Sequence, residues 1–293
     1  MPVAEETLLT ELRVVSLRGA PPYVDVIEGT TVTASVYRPD PGARTLVWTC
    51  TPGGELDCAE AGTAAQPTPL ASIATLGDGD EVAHAVVPPA SRPGAAGPPP
   101  GVGDGEGITV EEPITAGPPA LVWALSCDPG VCPLFAAYEA APAPGTPAWQ
   151  EVVAQLADPF TLLEGLPKVG TAATFRTLDT LLVVGGAVGP TNPEITGPPA
   201  PLIVRGGETL SLRFQISGTE SAVTAWPAGT AGGFELASVE AESGVVELVY
   251  VARDGQVEEN PALPSGTVVD VYVAFEAEDG GSALWRGAVV VAD

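Results

Sequence analysis

GETLSLRFQISGTESAVTAW (residues 207–226) reads as a turn, a half-buried strand, a second turn and a second strand that ends in tryptophan. Leu210, Leu212, Phe214 and Ile216 alternate with Ser211, Arg213 and Gln215. A side-chain period of two belongs to a strand with one face on a core and one in water. GTTVTASVYRPDPGARTLVW (residues 29–48) has the same outline, with Val32, Ala34 and Val36 alternating with Thr31, Thr33 and Ser35. A constant offset of 178 residues separates Gly29 from Gly207 and Trp48 from Trp226. In both copies glycine opens the unit, at a turn where a positive φ costs it nothing.

After each first strand comes a turn-rich segment, RPDPGAR (38–44) or SGTES (217–221), and then the strand with Trp48 or Trp226. Strand, turn, strand with a buried tryptophan is the opening of an immunoglobulin-like sandwich. The fold expected is therefore all-β, with two Ig-like β-sandwich domains in tandem, 1–190 and 191–293. The boundary falls at Gly189-Pro-Thr-Asn-Pro193, where composition shifts just before the second copy.

The first domain is expected to carry a long Pro/Gly-rich loop, PPASRPGAAGPPPGVGDGEG (88–107), and one short helix. That tract is too poor in apolar residues to order itself on a core. The helix has Thr146 as cap, Pro147 in its first turn, and Trp149, Val152, Val153 and Leu156 on one face, with Asp158-Pro159 as its stop. Strands are expected over 12–17, 68–76, 81–87, 108–110 and 121–127. A closing hairpin is expected from 171–178 and 181–186. In the second domain strands are expected over 245–253, 269–275 and 283–292, the last two joined by a turn at Asp279-Gly280-Gly281. Residues 1–10 read as a polar leader.

Composition narrows the function. Acidic residues number 37 against 11 basic ones, a net charge of −26. Such a surface repels phosphate backbones, which argues against nucleic-acid binding, and it disfavours anionic lipid. Glycine (35) and proline (32) suit many short strands joined by turns and are poor material for long helices. No apolar run is long enough to cross a membrane as a helix. MPVAEETLLTEL lacks the basic and apolar regions of an export signal.

Four cysteines bear on the compartment. Cys50 and Cys58, and Cys127 and Cys132, each flank a turn-rich loop after a Trp-bearing strand. Four cysteines allow three pairings; the two local ones are favoured because the turns already bring their ends together. Buried free thiols and a zinc site are the alternatives, although zinc prefers ligand pairs two to four residues apart. Disulfides imply an oxidising compartment.

Catalytic signals are thin. His84, the only histidine, lies on an expected strand with alternating neighbours, and no nucleophile elbow of the G-x-S-x-G type is present. The glycine-rich stretch 101–107 has no strand–helix context and no following lysine, so it is not a phosphate loop. No cofactor is expected. Asp78, Asp80 and Glu81 place hard oxygen ligands in one turn and are the calcium candidates, with 104–106 and 276–279 similar; the competing reading is a solvated acidic turn.

Several stretches carry a family likeness: Val47-Trp48-Thr49-Cys50 before Pro52-Gly53-Gly54, Asn192-Pro-Glu-Ile-Thr-Gly197, Trp226 followed by Gly232-Gly233-Phe234, and Asp279-Gly-Gly-Ser-Ala-Leu-Trp285-Arg286. In these the chain resembles the Ig-like surface lipoproteins of Gram-negative bacteria. The resemblance implies an exported module of the periplasm, outer membrane surface or extracellular space. Membrane contact would come only through an N-terminal lipid anchor, and no cysteine precedes Cys50. No catalytic residue is carried over. The function expected is a non-enzymatic structural or interaction module that binds a protein partner or itself through sandwich edges or loops. The alternatives are a carbohydrate- or polymer-binding module with exposed aromatics on a sandwich face, and a hydrolase with a carboxylate pair.

Overall fold

Gly29 and Gly207 both take positive φ, 77° and 83°, and each turn delivers the strand that the alternation demands. A computed structural model describes residues 7–52, 58–59, 69–87, 113–141, 143–184, 186–241, 244–254 and 261–293. The chain divides into two units, Glu11–Pro190 and Thr191–Asp293, the latter joined by the N-terminal residues up to Thr10. Strands predominate in both. The expected strand at 108–110, the 88–107 tract and the 101–107 stretch lie outside the described residues.

The first unit contains β1 (Arg13–Asp25), β2 (Gly29–Tyr37), β3 (Arg44–Pro52), β4 (Cys58–Ala59), β5 (Ala74–Asp78), β6 (Glu81–Val86), β7 (Ile114–Cys127) and β8 (Thr171–Leu182). The strand order is β4-β3-β7-β8-β1-β2-β6, with β5 also on β3. β1 does double duty. Its first part, from Arg13 to Ala20, pairs antiparallel with β2. Val24 and Asp25 pair parallel with β8. Pro21 and Pro22 stand between, and proline has no N–H to give a ladder, so the strand changes partner there. The sheet thereby folds over a core of Leu17, Val32, Ala34, Val47, Val82, Val122 and Leu178.

Three helices follow β7: α1 (Pro133–Ala140), α2 (Pro147–Ala157) and α3 (Pro159–Glu164). The expected helix is α2. Thr146 Oγ1 accepts the Trp149 N–H at 3.2 Å, and Trp149, Val152, Val153 and Leu156 are all buried. The expectation of a single helix is corrected. Asp158-Pro159 ends α2 and also starts α3, for Asp158 accepts the Thr161 N–H at 3.1 Å and Pro159 suits a first turn. The expected 171–186 hairpin is likewise one strand, β8. Thr180, read as part of its turn, is buried and donates to the Pro118 carbonyl at 2.9 Å.

The second unit contains β9 (Glu194–Thr196), β10 (Leu202–Arg205), β11 (Thr209–Ser217), β12 (Val223–Gly229), β13 (Gly233–Phe234), β14 (Val239–Ala241), β15 (Val245–Val251), β16 (Val268–Ala277) and β17 (Ser282–Ala292). They form two sheets, β10-β17-β16-β12-β14 and β13-β15-β11-β9. Both sheets give side chains to one core: Leu212, Phe214, Leu248 and Tyr250 from one, Val271, Val273, Phe275 and Val289 from the other. Trp285 packs edge-on to Phe214, ring centroids 5.1 Å apart. It also lies across Gly197 and Gly287, where a Cβ would run into the indole.

The pairing pattern repeats between units. β9 pairs with β11 and β10 pairs parallel with β17, as the two halves of β1 pair with β2 and β8. Ala200-Pro201 stands at the change, as Ala20-Pro21 does in the first unit.

The leader reading is corrected. Leu8 bridges Gly229 in parallel, the Leu9 N–H donates to the Gly229 carbonyl at 2.8 Å, and the Phe234 N–H donates to Thr7 Oγ1 at 3.1 Å. Thr7 and Leu9 are buried. A segment that precedes the first unit in sequence thus completes the second.

Candidate functional site

The equivalent strands β3 and β12 put their tryptophans on the same side, away from the core that the folded sheet encloses in the first unit and the two sheets enclose in the second. In β3 Val47 enters that core while Leu46, Trp48 and Cys50 face the other way. In β12 Val223 and Ala225 enter the core and Trp226 does not. The expectation that Trp226 is a buried core residue is corrected: it is 45% exposed, whereas Trp48 is 0% exposed.

The difference lies in what covers each face. In the first unit the connection from β7 to β8 carries the three helices. Their side chains Leu134, Trp149, Val152 and Leu156 join Trp48, Leu121, Trp123 and Leu125 in one buried cluster. Trp48 Nε1 donates to the Leu156 carbonyl at 3.1 Å. Its ring lies nearly parallel to Trp123, centroids 6.0 Å apart, and Phe160 of α3 meets Trp123 edge-on at 5.3 Å. In the second unit the connection from β16 to β17 is only a tight turn around Gly280, φ 96°.

Strand register maps the open face. Trp226 lies opposite Ala274, which lies opposite Leu284. The next row is Ala228, Tyr272 and Arg286. Further along come Asp270 beside Ala288, then Val268 beside Val290 beside Ile203. Val268 and Ile203 are 62% and 65% exposed. The Arg286 guanidinium sits over the Tyr272 ring, 5.4 Å from its centroid, a favourable cation–π distance. A sheet face turned to water ordinarily shows polar residues; here Arg205, Thr224, Glu240, Asp270, Glu276 and Arg286 lie among a larger number of apolar side chains. This face is the candidate site. Tyr272, Leu284 and Arg286 were not singled out from sequence. Parity was the available signal, since Thr224 and Trp226 share a strand face opposite to Val223 and Ala225.

The sequence candidates fall elsewhere. Asp78 Oδ1 is 2.8 Å from Arg44 Nε, and Asp80 Oδ1 is 3.1 Å from Arg38 Nη2. Two of the three calcium-candidate carboxylates are therefore held by guanidinium groups, while Glu81 begins β6. Among the described residues no cluster of three or more His, Cys, Asp or Glu side chains is placed to hold a metal ion. Near 276–279, Asp279 accepts the Gly281 N–H at 3.3 Å as part of the turn. The 104–106 acids lie outside the described residues.

Cys127 and Cys132 are bridged, with Cα atoms 6.0 Å apart, at the mouth of the helical connection. Cys50 is also disulfide-bonded; for Cys58 only the backbone is described, opposite Pro52. His84 is buried on β6 at 1% exposure, with Nδ1 3.0 Å from Thr75 Oγ1 and Nε2 without a hydrogen-bond partner. Burial pushes its pKa down to about 4. The helical layer has an open groove of about 550 Å³, with Leu134, Ala154 and Leu162 among its apolar lining and Glu151 and Asp158 among its polar lining.

No protein-family model and no curated protein matches the chain. Among solved structures the D00-D0 domain of Intimin is similar, at 8% sequence identity, with 95% of this chain and 100% of that chain covered and a TM-score of 0.25. A TM-score that low carries no argument about what this chain does.

Proposed function

We propose that this chain is a non-enzymatic, exported interaction module of two Ig-like sandwiches in tandem, and that it engages a protein partner through the outer face of β12, β16 and β17. The single observation behind the docking site is Trp226, 45% exposed in an apolar sheet face whose counterpart in the same chain is covered. Exposed apolar patches on a folded protein mark interaction sites, and tryptophan is enriched at the energetic centres of interfaces. The shared strand pairing of the two units supports the tandem Ig-like reading. The bridged Cys127 and Cys132 support an oxidising compartment.

A photo-crosslinking residue at position 226, tested in the native envelope against one at Glu208, probes this reading. A discrete product from 226 and none from 208 is the expected result. Equal labelling from both positions, or no product from 226, would contradict it.

A polysaccharide is the second reading, favoured by Trp226 and Tyr272 on adjacent strands of one exposed face. Aromatic rings can stack on sugar rings there, with Arg286, Asp270 and Glu276 as hydrogen-bonding groups. Retention on an insoluble glycan column, lost in Trp226→Ala, separates it from the first.

A further inference from the structure

We infer that the partner covers the β12–β16–β17 face with an amphipathic helix whose flanks are basic. This rests on the docking reading above and names its occupant. The chain supplies its own precedent. On the equivalent face of the first unit, the group laid over Trp48 is helical, and α2 contributes Trp149, Val152, Val153 and Leu156 from one side.

The open face has the relief that helix packing needs. Ala274 sits between Trp226 and Leu284, and Ala228 lies beside Tyr272 in its own row. Small residues between large ones are holes, and helix side chains at i, i+3, i+4 and i+7 are the knobs that fill them. A strand added at the edge β10 or β14 would satisfy backbone groups but leave these holes empty.

Charge chooses among helices. Glu240, Asp270 and Glu276 share the face with two arginines, Arg205 at the β10 edge and Arg286, which already lies over Tyr272. The chain as a whole carries −26. A second copy would bring like charge to an acidic face, and α2 itself, with Glu151 on its polar side, is not basic. Lysine or arginine beside an apolar stripe is complementary.

The test uses the full chain and a synthetic probe: an 18-residue leucine/lysine peptide with one apolar helical stripe. Its control is the same composition rearranged to a period of two, and a second control replaces each lysine with glutamate. Acrylamide quenching of tryptophan emission reads the outcome, because Trp226 is the most exposed indole, Trp48, Trp123 and Trp149 are buried, and Trp285 is half-buried on the core side of β17. The expected result is loss of the quencher-accessible emission with the basic helical peptide and with neither control. Leu284→Glu, on the outer face and away from the core, is expected to abolish the protection while the chain keeps its fold by circular dichroism. Val290→Glu is the second variant, should the first misfold.

Protection by the rearranged or acidic peptide, protection by a soluble glycan alone, dimerisation through this face, or no protection at all would overturn the inference. The two proposals fail separately. Crosslinking at 226 without peptide protection removes the helix and keeps the docking face, whereas absence of both removes both.

Discussion

Two tryptophans 178 residues apart occupy the same place in the same strand pattern, and one is buried while the other is not. In the first unit the outer sheet face at Trp48 is sealed by three helices inserted between β7 and β8. In the second unit a tight turn joins the equivalent strands, and Trp226 faces out. The two units thus differ where their connections differ. The strands are alike; the connection decides whether a face belongs to the core or stays available.

Truncation of the two tryptophans separates the covered face from the open one. Trp48→Ala removes a fully buried indole and its hydrogen bond to Leu156, and the expected loss is about 3–5 kcal/mol, the range for large core truncations. Denaturant unfolding measures it, with each unit's transition followed separately because two units need not unfold together. A loss below about 1 kcal/mol would mean that the helices do not seal that face.

His84 gives the next largest effect, and it is confined to the first unit. An unfolded histidine titrates near 6.5, while burial holds the folded one at about 4. Between those values the unfolded chain takes up a proton that the folded chain does not. The contribution is therefore fully present above pH 6.5, is lost as pH falls towards 4, and is flat below. The total is about 3 kcal/mol. His84→Leu is expected to flatten that part of the stability profile; an unchanged profile would assign the slope to other groups.

Leu9→Ala tests the other side. Its loss of about 2–3 kcal/mol, for a buried leucine on a short segment, is expected in the transition of the second unit and not in that of the first. A shift in the first unit instead would undo the assignment of the N-terminal segment.

Thr146→Ala removes the cap of α2 and is expected to cost about 1 kcal/mol, seen in the first unit alone. Smallest of all, Trp226→Ala is expected to change stability by about 0.5 kcal/mol or less, as for an exposed side chain, while it abolishes the proposed docking. A loss as large as that of Trp48→Ala would show that the second face is also part of a core.

Much of the strand framework was legible. Alternation located β2, β11, β16 and β17, glycine placed the turns before β2 and β11, and the cap-and-stripe pattern placed α2. The short strands β9, β10, β13 and β14, two to four residues long, are shorter than a periodic pattern can reveal. The covered face is legible too. TLVWTC in β3 and LVWALSC in β7 are apolar on both sides of the strand, which implies a layer on each face. VTAW in β12 alternates, so parity turns Trp226 outward. The site itself was less legible, since Tyr272, Leu284 and Arg286 meet Trp226 only through cross-strand register, which a single strand does not encode.

The most direct test is acrylamide quenching of the free chain in two variants, Trp226→Phe and Trp48→Phe. The quencher-accessible emission is expected to fall sharply in Trp226→Phe, down to what half-buried Trp285 contributes, and to persist in Trp48→Phe. Accessible emission that survives Trp226→Phe and falls in Trp48→Phe would contradict this account, because the covered and open faces would then be exchanged.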